Sequence, residues 1–298
     1  MFRSRAKPQL NRGACGAWSV GQRTLAAVWG PAGGFGAAMK TPRREARGED
    51  KNDDIMRQGL PRFEVAADFE AMSRRAAALI ESEVRRQPNL LLCAAAGSSP
   101  ARTYELLGER AAQDSALFSQ LRVIKVDEWG GLGLADPATC ESDLRRRLLA
   151  PLRIAPDRYQ GFESHPSDPP LECERVSQWL ACNGPIDLCV LGVGVNGHIA
   201  MNEPAQALCP GPHLAELTPG SLEHPMLAAS NAKPAYGLTL GMANILQSRT
   251  ILLLASGKRK RAVLERLRRP QVTPQFPVSF LWLHPNVTVL CDRGAQGT

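Results

Sequence analysis

Three short stretches of this chain carry residue types that do chemistry. The longest is residues 186–205, IDLCVLGVGVNGHIAMNEPA, where an apolar run gives way to glycines and then to Asn196, His198, Asn202 and Glu203. Ile186–Leu191 is the kind of short apolar run that sits inside a parallel sheet. Gly192, Gly194 and Gly197 then let the backbone turn sharply and lie close to a ligand. Ligands of open α/β sheets bind just past the carboxyl ends of strands, so this loop is expected to form half of an active site. GVGVNG also satisfies G-x-G-x-x-G, but a dinucleotide fingerprint must open a helix directly. Here Asn202 and Pro204 interrupt any helix almost at once. A glycine turn with a structural histidine is the plain alternative.

The second stretch is Asp127-Glu128-Trp129, at the end of the apolar run Leu121–Val126. Two adjacent carboxylates are costly there unless solvated or used. Each can raise the pKa of the other and so produce a general base or acid. A simple turn or helix start also favours acids. If the strand continues, Asp127 faces opposite to Val126 and Glu128, so one acid of the two points at a ligand.

The third stretch, Gly97-Ser98-Ser99-Pro100, lies between the apolar run Leu90–Ala95 and the helix-forming ARTYELLGERAA. Ser99 suits a helix cap and Pro100 a first turn. The first amides of a helix have no internal partner, and with the helix dipole they suit a phosphate. An ordinary capped helix needs no ligand, and the residues alone leave both readings open. The stretch is neither a Walker loop nor a G-x-S-x-G nucleophile elbow. A similar junction follows Thr250–Ser256, where Lys258 and Lys260 occupy a helix start. The dipole disfavours cations there unless an anion binds. A solvated basic face is the alternative.

The elements that must hold these stretches alternate. Val65, Phe69, Met72, Ala76, Leu79, Ile80 and Val84 recur at three and four, predicting an amphipathic helix. Residues 135–150 read as a helix start with Arg145–Arg147 as a solvated face. Residues 156–170 read as a proline loop, and Leu171–Trp179 as a helix. Residues 206–236, with five prolines, read as a long irregular loop of the lid type. Gly237–Ile245 suggests a helix or turn, and Phe280–Leu283 and Val287–Cys291 are β-type. Alternating strands and helices predict an α/β fold, Rossmann-like and doubly wound, with a mostly parallel sheet and flanking helices.

Composition narrows the function classes. The chain has 298 residues, and 44% are hydrophobic, enough for a real core. No apolar run reaches the roughly 18 residues of a membrane span. Residues 1–50 hold nine Lys/Arg and three Asp/Glu, which is +6 of the net +7. The remainder is nearly neutral, so a nucleic-acid surface is not expected. Eight cysteines, none in a C-x-x-C pair, argue for a reducing, cytoplasmic compartment without a zinc site. Residues 1–60 are expected to be a disordered tail or to precede the real start at Met39 or Met56, with an organelle transit peptide the rival reading. Residues 61–298 are expected to form one domain.

AAAGSSPARTYELL, VIKVDEWGGL and LGVGVNGHIAMNEPA, in that order, resemble the sugar-phosphate isomerase/deaminase family of the glucosamine- and galactosamine-6-phosphate deaminases. The likeness covers roughly residues 62–292, and the N-E-P after G-H is similar to the deaminases rather than to the related 6-phosphogluconolactonases. Where the glucosamine type has Asp-Gly-His, this chain has Asn196-Gly197-His198. That Asn, with DEWGGL, PATCES and SFLWLHPN, is similar to the galactosamine-6-phosphate branch. The resemblance implies a small anionic sugar phosphate as substrate, no cofactor and no metal, and leaves a homo-oligomer open. It implies that Gly97, Ser98, Ser99 and Lys260 hold the phosphate, beside the loop glycines Gly194 and Gly197. His198 would shuttle a proton to the ring oxygen, positioned by Glu203 and Asn196, and Asp127 would move the C2 proton to C1, with Glu128 in support. An Asn can offer only a neutral hydrogen bond where an Asp offers charge. A lactonase and a non-catalytic sugar-phosphate sensor are the alternatives on the same fold.

Overall fold

The computed structural model describes residues 60–297. The tail expected over residues 1–60 therefore lies, apart from Leu60, outside the described residues. In chain order the first half runs β1 (Arg62–Ala66), α1 (Phe69–Arg86), β2 (Leu91–Ala94), α2 (Ser98–Gln113), β3 (Arg122–Lys125), β4 (Asp127–Gly130), α3 (Cys140–Leu144), β5 (Tyr159–Gln160) and α4 (Pro169–Asn183). The second half runs β6 (Leu188–Gly192), β7 (His213–Ala215), α5 (Pro219–Leu222), β8 (Tyr236–Thr239), α6 (Met242–Leu246), β9 (Thr250–Ala255), α7 (Arg261–Leu267), β10 (Val287–Asp292) and α8 (Arg293–Gln296).

Seven strands form one all-parallel sheet in the order β1-β10-β9-β6-β2-β3-β5. Its central strands are buried on both faces, which is why they read as continuous apolar runs. Leu91 and Cys93 of β2 face a core built with α4, α6 and α7, through Val176, Ile245 and Leu264. Leu92 and Ala94 face the opposite core, where α1 and α2 supply Met72, Ile80, Tyr104 and Leu107. Helices thus cover both faces, as a doubly wound fold requires.

The carboxyl ends of β2, β3, β6 and β9 all point the same way. From β2 the chain proceeds to β3 on one side, and from β6 it proceeds towards β9 on the other. The crevice above β2 and β6 is therefore a topological switch point, the place where such sheets bind ligands.

A second, antiparallel sheet of order β4-β8-β7 stands beside this crevice. It was not expected. The segment after Val126 does persist as a strand, but it leaves the main sheet to pair Asp127 with Thr239 and Glu128 with Leu238. Gly237 accordingly begins no helix; it lies in β8, and the helix starts only at Met242.

Other expectations are corrected by local chemistry. Val65 belongs to β1, because the Asp68 side chain caps the Ala71 amide at 2.8 Å and starts the helix at Phe69. Ser99 does not cap α2; Gly97 does, at φ +101° and with no side-chain bond. Arg145–Arg147 form a π-helical turn whose guanidinium groups pair with Glu141, Asp143 and Glu105 rather than with solvent alone. The proline loop contains β5, and the irregular stretch contains β7, α5 and a 3-10 turn at Pro225–Ala229. Pro277–Leu283 is a 3-10 helix, anchored by the Trp282 indole donating to Leu267 O at 2.7 Å.

Candidate active site

A cavity of about 650 Å³ occupies the switch point. The turn after β2, the loop after β6 and the turn after β9 all open onto it, as do Asp127 and His198. The three sequence stretches thus converge on one rim.

Asp127 and Glu128 divide as the alternation of a strand demands. Asp127 is half-buried and faces the cavity. Burial, with the Glu128 charge beside it, pushes its pKa up to about 7, against the pull of Lys125, His198 and the Cys140 thiol. Glu128 points the other way and is wholly buried. It accepts from Lys125 Nζ at 2.5 Å and from the amides of Trp129, Cys140 and Glu141 at 2.7–2.9 Å. Two of those amides belong to the first turn of α3, so Glu128 fixes that helix to β4. Lys125 also reaches Glu141 at 3.1 Å. Burial opposes the Lys125 charge, but the two carboxylates outweigh it and hold its pKa above the ordinary value. Glu128 therefore holds the frame behind Asp127 and does not line the cavity.

His198 stands on the turn Gly194–His198, closed by Gly194 N donating to His198 O at 2.9 Å and Gly197 N to Gly194 O at 3.0 Å. Gly197 has φ +90°, and a Cβ there would strike the buried Phe276 ring. The imidazole Nδ1 lies 3.3 Å from Glu203 Oε1. Asn196 ties the two together: its Nδ2 donates to Glu203 Oε2 at 2.8 Å, and its Oδ1 accepts from the His198 amide at 3.1 Å. An aspartate at 196 could not donate to Glu203. Asn196 therefore holds the acid as well as the loop. Ser221 Oγ, on α5, donates to Glu203 Oε1 at 2.5 Å. Burial disfavours the Glu203 charge, yet His198, Ser221 and Asn196 outweigh it and bring the pKa to about 2. The ionised carboxylate stands at ion-pair distance from the ring, where it can orient the imidazole.

At the other end of the cavity, Gly97, Ser98 and Ser99 form the start of α2. The Gly97 amide is committed to Asp143 Oδ2 at 3.2 Å, and Asp143 is in turn paired with Arg146 and Arg147 at 2.7 and 2.8 Å. The first-turn groups of Ser98 and Ser99 carry the anion-binding character of the helix end. Lys260 Nζ donates to Val193 O at 2.6 Å, which holds the ammonium over the cavity. Burial and the neighbouring Arg259 lower its pKa. It sits in a 3-10 turn at Lys258–Lys260, ahead of α7 rather than inside it.

Sequence reasoning gave no role to Ser221, His224 or Trp129. All three line the cavity. Ser221 and His224 lie in the proline-rich stretch, where no periodicity marks them. The Trp129 indole Nε1 is buried and has no hydrogen-bond partner among the described residues. Among those residues no group of three or more His, Cys, Asp or Glu side chains could hold a metal ion, and no helix is long and apolar enough to cross a membrane.

Known proteins are similar to this chain in sequence and in fold. AgaI of Escherichia coli (strain K12) is 38% identical over 76% of this chain and 89% of its own. The glucosamine-6-phosphate deaminase of Geobacillus sp. (strain WCH70) is 34% identical over 77% and 92%. The solved structure of a monomeric glucosamine-6-phosphate deaminase superposes with a TM-score of 0.74 at 30% identity, covering 78% of this chain and 98% of that one. The 6-phosphogluconolactonase of Trypanosoma brucei shares the fold, with a TM-score of 0.64 at 20% identity over 79% and 97%. Residues 65–290 match the family described as glucosamine-6-phosphate isomerases/6-phosphogluconolactonase, and the chain belongs to that family.

Proposed function

We propose that this chain converts a 2-amino-2-deoxy aldose 6-phosphate, galactosamine 6-phosphate by preference and glucosamine 6-phosphate next, into the ketose 6-phosphate and ammonia. The observation that carries the reading is that Asp127 and His198 open onto the same cavity as the α2 terminus and Lys260. An acid, an imidazole and an anion cradle then face one small molecule.

The steps are those that the family resemblance implies, and the placement of the residues supports them. The first turn of α2 and Lys260 take the phosphate and orient the sugar. His198, held by Glu203, gives a proton to the ring oxygen and opens the ring. Asp127 removes the C2 proton and returns it at C1 while a proton passes from the amine nitrogen to O1, leaving a ketimine at C2. Water adds there and ammonia leaves. A carboxylate with a pKa of about 7 suits this exchange, since both its forms are populated near neutrality. The preference for the galacto epimer rests on Asn196 and on the motifs DEWGGL, PATCES and SFLWLHPN, which are similar to that branch.

The test is an ammonia-release assay on the two epimeric amino-sugar 6-phosphates side by side, with acid release from 6-phosphogluconolactone in parallel. Ammonia release, with the higher kcat/KM on galactosamine 6-phosphate, is expected. Acid release from the lactone without ammonia release would refute the reading. Higher kcat/KM on the gluco epimer would refute the preference alone.

A further inference from the structure

His224 has no part in the chemistry described above, yet it lies inside the cavity. It precedes the 3-10 turn Pro225–Ala229, and its Nδ1 accepts from the Met226 amide at 3.3 Å. That bond assigns the acceptor role to Nδ1, so the proton of the neutral ring sits on Nε2. The opposite edge of the ring faces the α2 terminus: a Cβ built on Gly97 would lie 3.8 Å from His224 Cε1 and 3.9 Å from Nε2. The Trp129 ring, 5.8 Å away centroid to centroid, backs the imidazole. The Nε2–H edge therefore lies beside the Gly97 turn that opens α2.

We propose that His224 is a substrate-contacting residue, its Nε2–H donating to the phosphate opposite the first turn of α2. The inference rests on the sugar-phosphate reading of the cavity and adds a donor to it. The same segment carries Ser221, whose hydroxyl is anchored on Glu203. Residues 221 and 224 thus connect the anion end of the cavity to the proton-shuttling end.

The charges around His224 give the contact a signature. Burial, His198 and Lys260 all hold its pKa below the usual imidazole value, and Asp143 alone pulls the other way. These neighbours thus favour the neutral ring. A phosphate dianion set against it reverses the balance, because an opposite charge at hydrogen-bond distance favours the imidazolium. Anion binding raises the pKa of His224, and it takes up a proton as the pH falls.

Inorganic phosphate is the probe, since it reads the anion site whichever sugar is the substrate. The His224 Cε1–H resonance of the wild-type protein, identified by its loss in His224→Gln, is titrated with and without saturating phosphate. Its pKa moves upward with phosphate. In kinetics, His224→Leu raises KM by about ten- to a hundredfold, the range for losing one hydrogen bond to a charged group. His224→Gln, which keeps an N–H but cannot charge, loses less, and in both variants the loss falls on KM more than on kcat. A His224 pKa unmoved by phosphate overturns the proposal, and so do KM values within twofold of wild type in both variants. Failure of the wild type to release ammonia would refute the proposed reaction but not this contact, which the phosphate titration reads by itself.

Discussion

The His198 imidazole lies so close against Gly194 that a Cβ at position 194 would overlap the ring. Gly194 is therefore a space requirement of the histidine, while the turn also needs its amide for His198 O. Gly194→Ala is expected to push the ring off Glu203 without touching the core or the α2 terminus. Displacing a catalytic group by about 1 Å costs on the order of a hundredfold in rate. The expected result is a kcat lower by about that factor, with phosphate affinity and melting temperature near wild type. A fully active variant would remove His198 from the mechanism.

Asp127 makes the pH dependence predictable in sign. Its pKa is raised to about 7, and only its ionised form can take a proton from carbon. The rate is therefore expected to rise with pH through about 7 and to level off above about 8. A rise centred near 4, the value of an unperturbed carboxylate, would show that another group is the base. Asp127→Asn should abolish turnover while phosphate still binds at the α2 terminus. Near wild-type turnover in that variant would refute the assignment.

How much of this was legible in the sequence follows from where each signal resides. Leu91–Ala94, Leu188–Leu191 and Thr250–Ala255 pack on both faces, so they read as unbroken apolar runs and were placed correctly. The split between Asp127 and Glu128 followed from the two-residue period of a strand, even though the strand joined an unforeseen sheet. The small sheet was hidden because Asp127–Gly130 carries two acids and a glycine, and only its pairing with β8 makes it a strand. Ser221 was hidden for a similar reason. Its meaning lies in Glu203, eighteen positions away, and nothing near it in the chain announces the contact. Val65 misled because one strand residue happened to fall on the period of the helix that follows.

The last prediction separates the two adjacent acids by stability. Glu128 is wholly buried against Lys125, and its two oxygens accept from three backbone amides besides. Glu128→Gln replaces one acceptor oxygen with an N–H₂ that faces donors, and it leaves the buried Lys125 charge to Glu141 alone. Breaking a buried ion pair from one side costs about 3–5 kcal/mol. At about 2–4 °C per kcal/mol for a domain of this size, the melting temperature should fall by on the order of 10 °C. Asp127→Asn should behave in the opposite way. Because the folded-state pKa of Asp127 is raised from 3.8 to about 7, its contribution to stability is fully present below pH 3.8 and is lost as the pH rises through 7. A neutral amide avoids that loss, so at pH 8 Asp127→Asn should melt no lower than wild type. Thermal melts of both variants at pH 8 check the contrast. Equal destabilisation by the two substitutions would mean that Asp127, too, is held in place for the sake of the fold.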